Sequence, residues 1–205
     1  MSELAAVIVE TRPLNNLKQV IENHLKFLPY YTKLYVFGSD QVDLLLSRAD
    51  FKYTFVDLEE PIDQNLYNKL LTILGFWGLI DEENILIFQH DSEILRPGIE
   101  EFFNYEYLGA PWKFQSNGGN GGLSFRKKSE MIKAIEKHGP YDYSKHGNED
   151  VFFSNALYQT HSHYNKEACK KFSCESIFQL GTFGCHAIDK YLTPQQCEQI
   201  RGQYA

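Results

Sequence analysis

Residues 84–98 read NILIFQHDSEILRPG, and the fold follows from how that stretch is read. Ile85, Leu86, Ile87 and Phe88 form an unbroken apolar run, the pattern of a strand covered on both faces. The chain then turns polar at Gln89, His90, Asp91 and Ser92. Working outward, AAVIVE (residues 5–10) is a second run of the same kind, KLYVF (33–37) a third and YTFVD (53–57) a fourth. Between the first two, Leu14, Leu17, Val20, Ile21, Leu25 and Leu28 recur at steps of three and four and make one helix face. Residues 42–46 predict a short helix and residues 63–80 a longer one. Strands alternating with helices give an α/β domain, a mainly parallel sheet with helices on both faces. Such sheets bind ligands beyond the carboxyl ends of their strands. Thr11 and Arg12, Ser39 and Asp40, Asp57, and the Gln89 to Ser92 turn are therefore expected to line one crevice.

The second half has a different texture, expected to form a smaller mixed part. YLGAPW (107–112) leads to a loop QSNGGNGG (115–122), a short strand LSFR, and a helix over about 129–138 that Gly139 and Pro140 stop. Another helix opens in GNEDVFFSNAL, and beyond residue 158 only an apolar stretch at 177–180 stands out. No Pro/Gly/Ser-rich linker divides the 205 residues, so a single domain, 1–205, is expected, with residues 1–92 as its nucleotide-binding half and 93–205 as its acceptor half.

Composition narrows the function classes. At 43% hydrophobic and 23% charged residues the chain is an ordinary globular one. Its net charge of −7 argues against a nucleic-acid partner, which needs a basic face. No signal peptide and no run of about 18 apolar residues is visible, so no membrane span is expected and a cytoplasmic location follows. Cys169, Cys174, Cys185 and Cys197 lie near His161, His163 and His186, but their gaps do not match paired zinc-ligand spacing, and reduced thiols are expected.

Four groups have chemical potential. Asp91, just past a buried strand, suits a hard divalent cation such as Mn2+ or Mg2+, although taken alone it reads more simply as a capping or turn aspartate. The glycines of 118–122 fit neither phosphate-loop pattern; they suit a backbone lying close to a ligand, or a surface loop. Glu149 and Asp150 follow Asn148, a good N-cap residue; acids there are favoured by the helix dipole, and one of them could equally be a general base. His186, between small residues, suits a second metal ligand or a hydrogen-bonded structural histidine.

Taken in order, VIVETRP, YNKLL, ILIFQHDS, LGAPW, GNGGLSFR and NEDVFFS resemble the glycosyltransferases of the GT-A fold over roughly residues 5–157, and in particular viral members that decorate a capsid protein. The resemblance implies a metal-dependent, inverting transfer of a sugar, L-rhamnose or a hexose, from a UDP-sugar to a glycan on a glycoprotein such as a viral capsid protein, in the host cytoplasm if the chain is viral. It places the metal triplet of that fold on Gln89-His90-Asp91, where glutamine stands in place of the first aspartate. Asp91 and His186 would hold Mn2+ (or Mg2+). Thr11, Arg12, Asp57, Lys69, Gln89, Asp91, Gly121 and Gly122 would bind the nucleotide sugar, Trp112 the acceptor sugar, and Asp150, with Glu149 beside it, would act as base. A local cation is needed to bring a diphosphate to so acidic a chain; one unit-charge pair at about 4 Å contributes about 4 kcal/mol at an effective dielectric near 20. Two other readings share parts of this pattern. A sugar nucleotidyltransferase expects a glycine-rich loop after the first strand, which ETRPLNN lacks, and a non-catalytic carbohydrate-binding module would account for the altered triplet.

Overall fold

In a computed structural model, residues 3–59, 61–115, 117–160 and 165–204 are described. The central sheet has six strands: β1 (Leu4–Glu10), β2 (Lys33–Gly38), β3 (Thr54–Asp57), β4 (Asn84–Phe88), β6 (Tyr107–Ala110) and β7 (Asn120–Lys127). Their spatial order is β3-β2-β1-β4-β7-β6. The first four lie parallel, and β7 runs antiparallel to both β4 and β6, which makes the sheet mixed but mainly parallel. A second, three-stranded sheet is built from β5 (Ser92–Ile94), β8 (Ser173–Cys174) and β9 (Gly184–His186), in the order β5-β9-β8.

Why both faces are covered is written in the alternation along β1. Leu4, Ala6 and Ile8 point to one side, where they pack on Leu17 and Ile21 of α1 (Leu17–Phe27), Val42 and Leu46 of α2 (Asp40–Leu46), and Phe172 of α8 (Lys166–Phe172). Ala5, Val7 and Val9 point to the other, against Leu71 of α3 (Gln64–Leu71), Trp77 of α4 (Leu74–Gly78), Met131 of α5 (Lys128–His138) and Phe153 of α7 (Glu149–Thr160). Every residue of β1 and of β4 is buried. Burial of one such side chain stabilises the fold by about 1.5–3 kcal/mol, so the two cores hold the strand ends in fixed register.

Three expectations change. The helix expected over 63–80 is two helices, α3 and α4. The hydroxyl of Thr72 donates to the carbonyls of Asn68 and Lys69 at 2.7 and 3.1 Å, and Trp77 Nε1 donates to the carbonyl of Leu71 at 2.8 Å. These side chains take the last carbonyls of α3 and end it, while the apolar spacing continues through the break. The loop expected over 115–122 already contains the start of β7, because Asn120 enters the ladder opposite Ala110. The apolar stretch at 177–180 is no element; Leu180 is exposed, and the elements after residue 165 are α8, β8, β9, α9 (Ile188–Tyr191) and α10 (Pro194–Gly202). All four cysteines are buried free thiols. Among the described residues no helix is long and apolar enough to cross a membrane.

Candidate functional site

The parallel strands bring their carboxyl ends side by side, as expected of the crevice. Ser39 Oγ, after β2, donates to the carbonyl of Thr11, after β1, at 2.8 Å. Arg12 grips Glu10 through Nε and Nη2 at 2.8 and 2.7 Å, and its Nη2 lies 3.4 Å from His90 Nδ1 after β4. Thr11 is buried, and its Oγ1 accepts from the backbone N–H of Ile62 at 3.0 Å. Asp57 ends the edge strand β3 and is exposed. Lys69 is exposed on α3, whereas its neighbour Asn68 is buried and turned inward.

Asp91 lies in the tight turn between β4 and β5. Ser92 closes that turn by donating its N–H and its hydroxyl to the Gln89 carbonyl at 3.1 and 2.6 Å. The second sheet then supplies a distant partner. Pairing of β5 with β9 sets Ser92 opposite His186, and the N–H of Ala187 donates to the Asp91 carbonyl at 2.8 Å. His186 Nε2 consequently sits 3.2 Å from Asp91 Oδ1 and 3.1 Å from Gln89 Oε1, while its Nδ1 is 3.1 Å from Glu175 Oε1. Lys190 Nζ meets Asp91 Oδ2 at 2.6 Å. Burial disfavours a charged imidazole, yet the hydrogen bonds to Asp91 and Glu175 outweigh it and raise the His186 pKa to about 9. Burial likewise opposes ionisation of Asp91, but His186 and Lys190 overcome it and hold the carboxyl well below its usual range.

Gly122 explains the glycines. A Cβ built there would stand 2.2 Å from His186 Nε2, so only glycine lets β7 pass this close to the cluster. Gly121 lies equally tight on the other side: its N–H donates to Asp150 Oδ2 at 3.0 Å, and a Cβ would fall 2.5 Å from Glu149 Oε1. Gly118, with φ of 83°, packs on Ser154 of α7. The segment is a packed ridge between two acidic clusters; Ser116, just before it, is outside the described residues.

Across that ridge is a buried ion pair that sequence reasoning missed. Arg126 on β7 is fully buried and meets Glu149 with two hydrogen bonds, at 2.6 and 2.9 Å. Its guanidinium also contacts Ser124 Oγ at 2.9 Å and lies over the rings of Tyr107 and Phe153. A detectable signal existed: Leu123 and Phe125 fill one core, so Ser124 and Arg126 must enter the other covered face, where a cation needs an acid. Asn148, expected to cap α7, instead accepts from Gln64 and Asn68 through Oδ1, and Asn68 Oδ1 takes over the capping role by accepting the Glu149 N–H at 3.1 Å. Burial first, and the Glu149 charge second, push the Asp150 carboxyl up to about 7, against hydrogen bonds from the N–H groups of Gly121 and Val151.

Trp112 is buried beneath Phe114, which stacks on it with ring centres 5.3 Å apart and is itself 76% exposed. Phe114 is thus the open aromatic surface of this wall. His161 and His163 fall outside the described residues.

Asp91 Oδ1, Gln89 Oε1 and His186 Nε2 converge as an O, O, N set of the kind Mn2+ accepts. Asp91 Oδ1 is buried, with His186 Nε2 at 3.2 Å. Among the described residues no three His, Cys, Asp or Glu side chains gather to hold a metal by themselves, so the set depends on the Gln89 amide and on loss of the His186 proton.

The chain belongs to the family described as Protein of unknown function (DUF5672), which matches residues 51–186. Among solved structures it is similar to the crystal structure of the glycosyltransferase GlyE in Streptococcus pneumoniae TIGR4, with 14% identity and a TM-score of 0.45. That likeness covers 80% of this chain and 44% of GlyE, so the chain spans less than half the length of that protein. No curated protein matches it by sequence.

Proposed function

We propose that the protein is an inverting glycosyltransferase that moves a sugar, L-rhamnose or a hexose, from a UDP-sugar to a hydroxyl of a glycan on a glycoprotein. The observation that carries this reading is the opposite tuning of two carboxylates on either side of one glycine ridge: Asp91 is held ionised among cations, and Asp150 is poised near neutrality. The order of motifs from VIVETRP to NEDVFFS supports the same reading, and a viral capsid protein is the acceptor those motifs favour.

In this mechanism the donor lies across the strand ends, its uridine by Thr11, Arg12 and Asp57 and its diphosphate by the Asp91 turn. Asp91, Gln89 and neutral His186 would hold Mn2+ (or Mg2+), which when bound supplies Lewis-acid stabilisation of a departing diphosphate. Lys190 adds a protein cation at the same place, and Arg12 and Lys69 would contact the nucleotide sugar. The acceptor sugar enters past Phe114 and Trp112 towards Gly121 and Gly122. Its hydroxyl oxygen attacks the anomeric carbon as the bond to the diphosphate oxygen breaks, UDP leaves with that electron pair, and the hydroxyl proton passes to Asp150. A base with a pKa near the working pH is the most effective kind. Glu149, paired with Arg126, fixes the start of α7, and its charge adds to the rise of the Asp150 pKa.

Calorimetric titration of UDP tests the donor site, first with Mn2+, then with EDTA, then with Asp91→Ala. Binding is expected to require both the metal and Asp91; binding indifferent to both would remove the donor site from this turn.

A further inference from the structure

On the far side of Asp91 from the glycine ridge, a cavity of about 350 Å3 runs between α1 and the β5 and α9 edge. We infer that this groove binds a neutral oligosaccharide, at a site that adjoins the donor crevice and shares the Asp91 turn and Lys190 with it. One wall is the α1 face carrying Asn16, Gln19, Val20 and Asn23, spaced at i, i+3, i+4 and i+7 so that all four point the same way. The amides of Asn16, Gln19 and Asn23 have no hydrogen-bond partner among the described residues; Asn16 stands at the N-cap of α1 yet makes no capping bond. Each amide offers two N–H donors and a carbonyl acceptor, so three of them in a row present a mixed donor and acceptor surface with no net charge.

The opposite wall decides the charge of the ligand. Asp91 is paired with Lys190 at 2.6 Å, and Arg201 holds both Glu93 and Asp189 at 2.9 Å. Of the residues that line the groove, Asp91, Glu93 and Asp189 are acids and Lys190 and His90 are basic; Lys190 is held by Asp91, and His90 Nδ1 lies 3.5 Å from Glu10 Oε2. An anion would meet more acids than basic groups there, and a lipid or aromatic ligand would find Val20 and Ala187 as the apolar lining. What remains is a neutral ligand rich in hydroxyls, able to donate and accept at each amide, and the volume is at the lower end of small-molecule sites. Ala187, at φ of 49°, holds the groove side of His186 in a backbone conformation that residues with a side chain seldom adopt, as sites of binding often do.

The test exposes the whole chain, without UDP and with EDTA present, to an array of neutral oligosaccharides alongside uronic-acid and sialic-acid ones. The best binder is then titrated while the side-chain amide NMR signals of Asn16, Gln19 and Asn23 are followed. Neutral glycans are expected to be retained and to shift those signals, and Gln19→Ala with Asn23→Ala is expected to weaken them by about tenfold, the loss of one net hydrogen bond or slightly more. Asn23→Trp, which fills the groove from an exposed helix position, is expected to do the same, with UDP binding unchanged in both variants. Retention of no neutral glycan, preference for acidic ones, or undiminished binding by both variants would overturn the site. Since neither UDP nor Asp150 takes part, failure of the transferase reading leaves this outcome untouched.

Discussion

Asp91 and Asp150 flank the same ridge of glycines, yet their surroundings differ in kind. Asp91 is half-buried in a turn where His186 and Lys190 converge on its two oxygens. Asp150 is buried at a helix start with an acid as its chain neighbour, and the nearest cation, Arg126, is committed to that neighbour. The lesson is that a cation tunes a carboxylate most strongly where its hydrogen bonds are directed at it. Arg126 is bound to Glu149, so burial and the Glu149 charge prevail at Asp150, and the two aspartates are tuned in opposite directions.

The comparison can be broken most sharply at Asp150. Replacement by Asn is expected to lower transfer by about 10²–10⁴-fold, the usual worth of a general base, with UDP affinity nearly intact. In the parent, transfer should rise with pH through about 7 and then level off. Stability should run the other way. The folded carboxyl holds its proton up to about 7 whereas an unfolded one loses it near 3.9, so the contribution is full below about 4 and is lost as pH rises through 7, at up to about 1.4 kcal/mol per unit. Thermal melts of parent and Asp150→Asn from pH 4 to 8 would reveal that slope in the parent alone; parallel curves would mean that Asp150 titrates like an exposed acid.

A second break removes the committed cation. Arg126→Met leaves Glu149 buried without a partner, and urea unfolding is expected to show a loss of about 3–5 kcal/mol, most of it restored when Glu149→Gln is added. An unrestored double variant would mean that Arg126 acts through its stacking on Tyr107 and Phe153. The smallest of the three changes sharpens the other side. Gly122→Ala forces His186 away from Asp91, and a cost of about 1–3 kcal/mol is expected with weaker Mn2+-dependent UDP binding, whereas an alanine accepted without loss would show that the two can move apart.

The strands and their direction were legible because NILIF and AAVIVE carry unbroken apolar runs and the intervening residues keep helical spacing. Asp91, Asp150 and His186 were also nameable, each as a polar residue at an element boundary, and the structure brings the first and last within 3.2 Å. Their partners were not. Glu175 and Lys190 reach the site through strands of two and three residues, too short to leave a period in the sequence. The split of α3 from α4 was hidden because Thr72 and Trp77 end the helix by side-chain bonds while the apolar spacing runs on. Lys69 drew attention as a cation, yet it is Asn68, an uncharged neighbour one position earlier, that faces inward.

The antiparallel strand β7 also bears on how the chain is made. Until residues 120–127 arrive, β4 has β1 on one side and no partner on the other, and its open edge is the apolar NILIF. An unpaired, flat, uncharged edge of that kind is a template for pairing with another chain. Fragments that stop short of Asn120 should therefore be aggregation-prone during synthesis or after proteolysis, and the glycine-led strand that lines the crevice doubles as the guard of the sheet's edge.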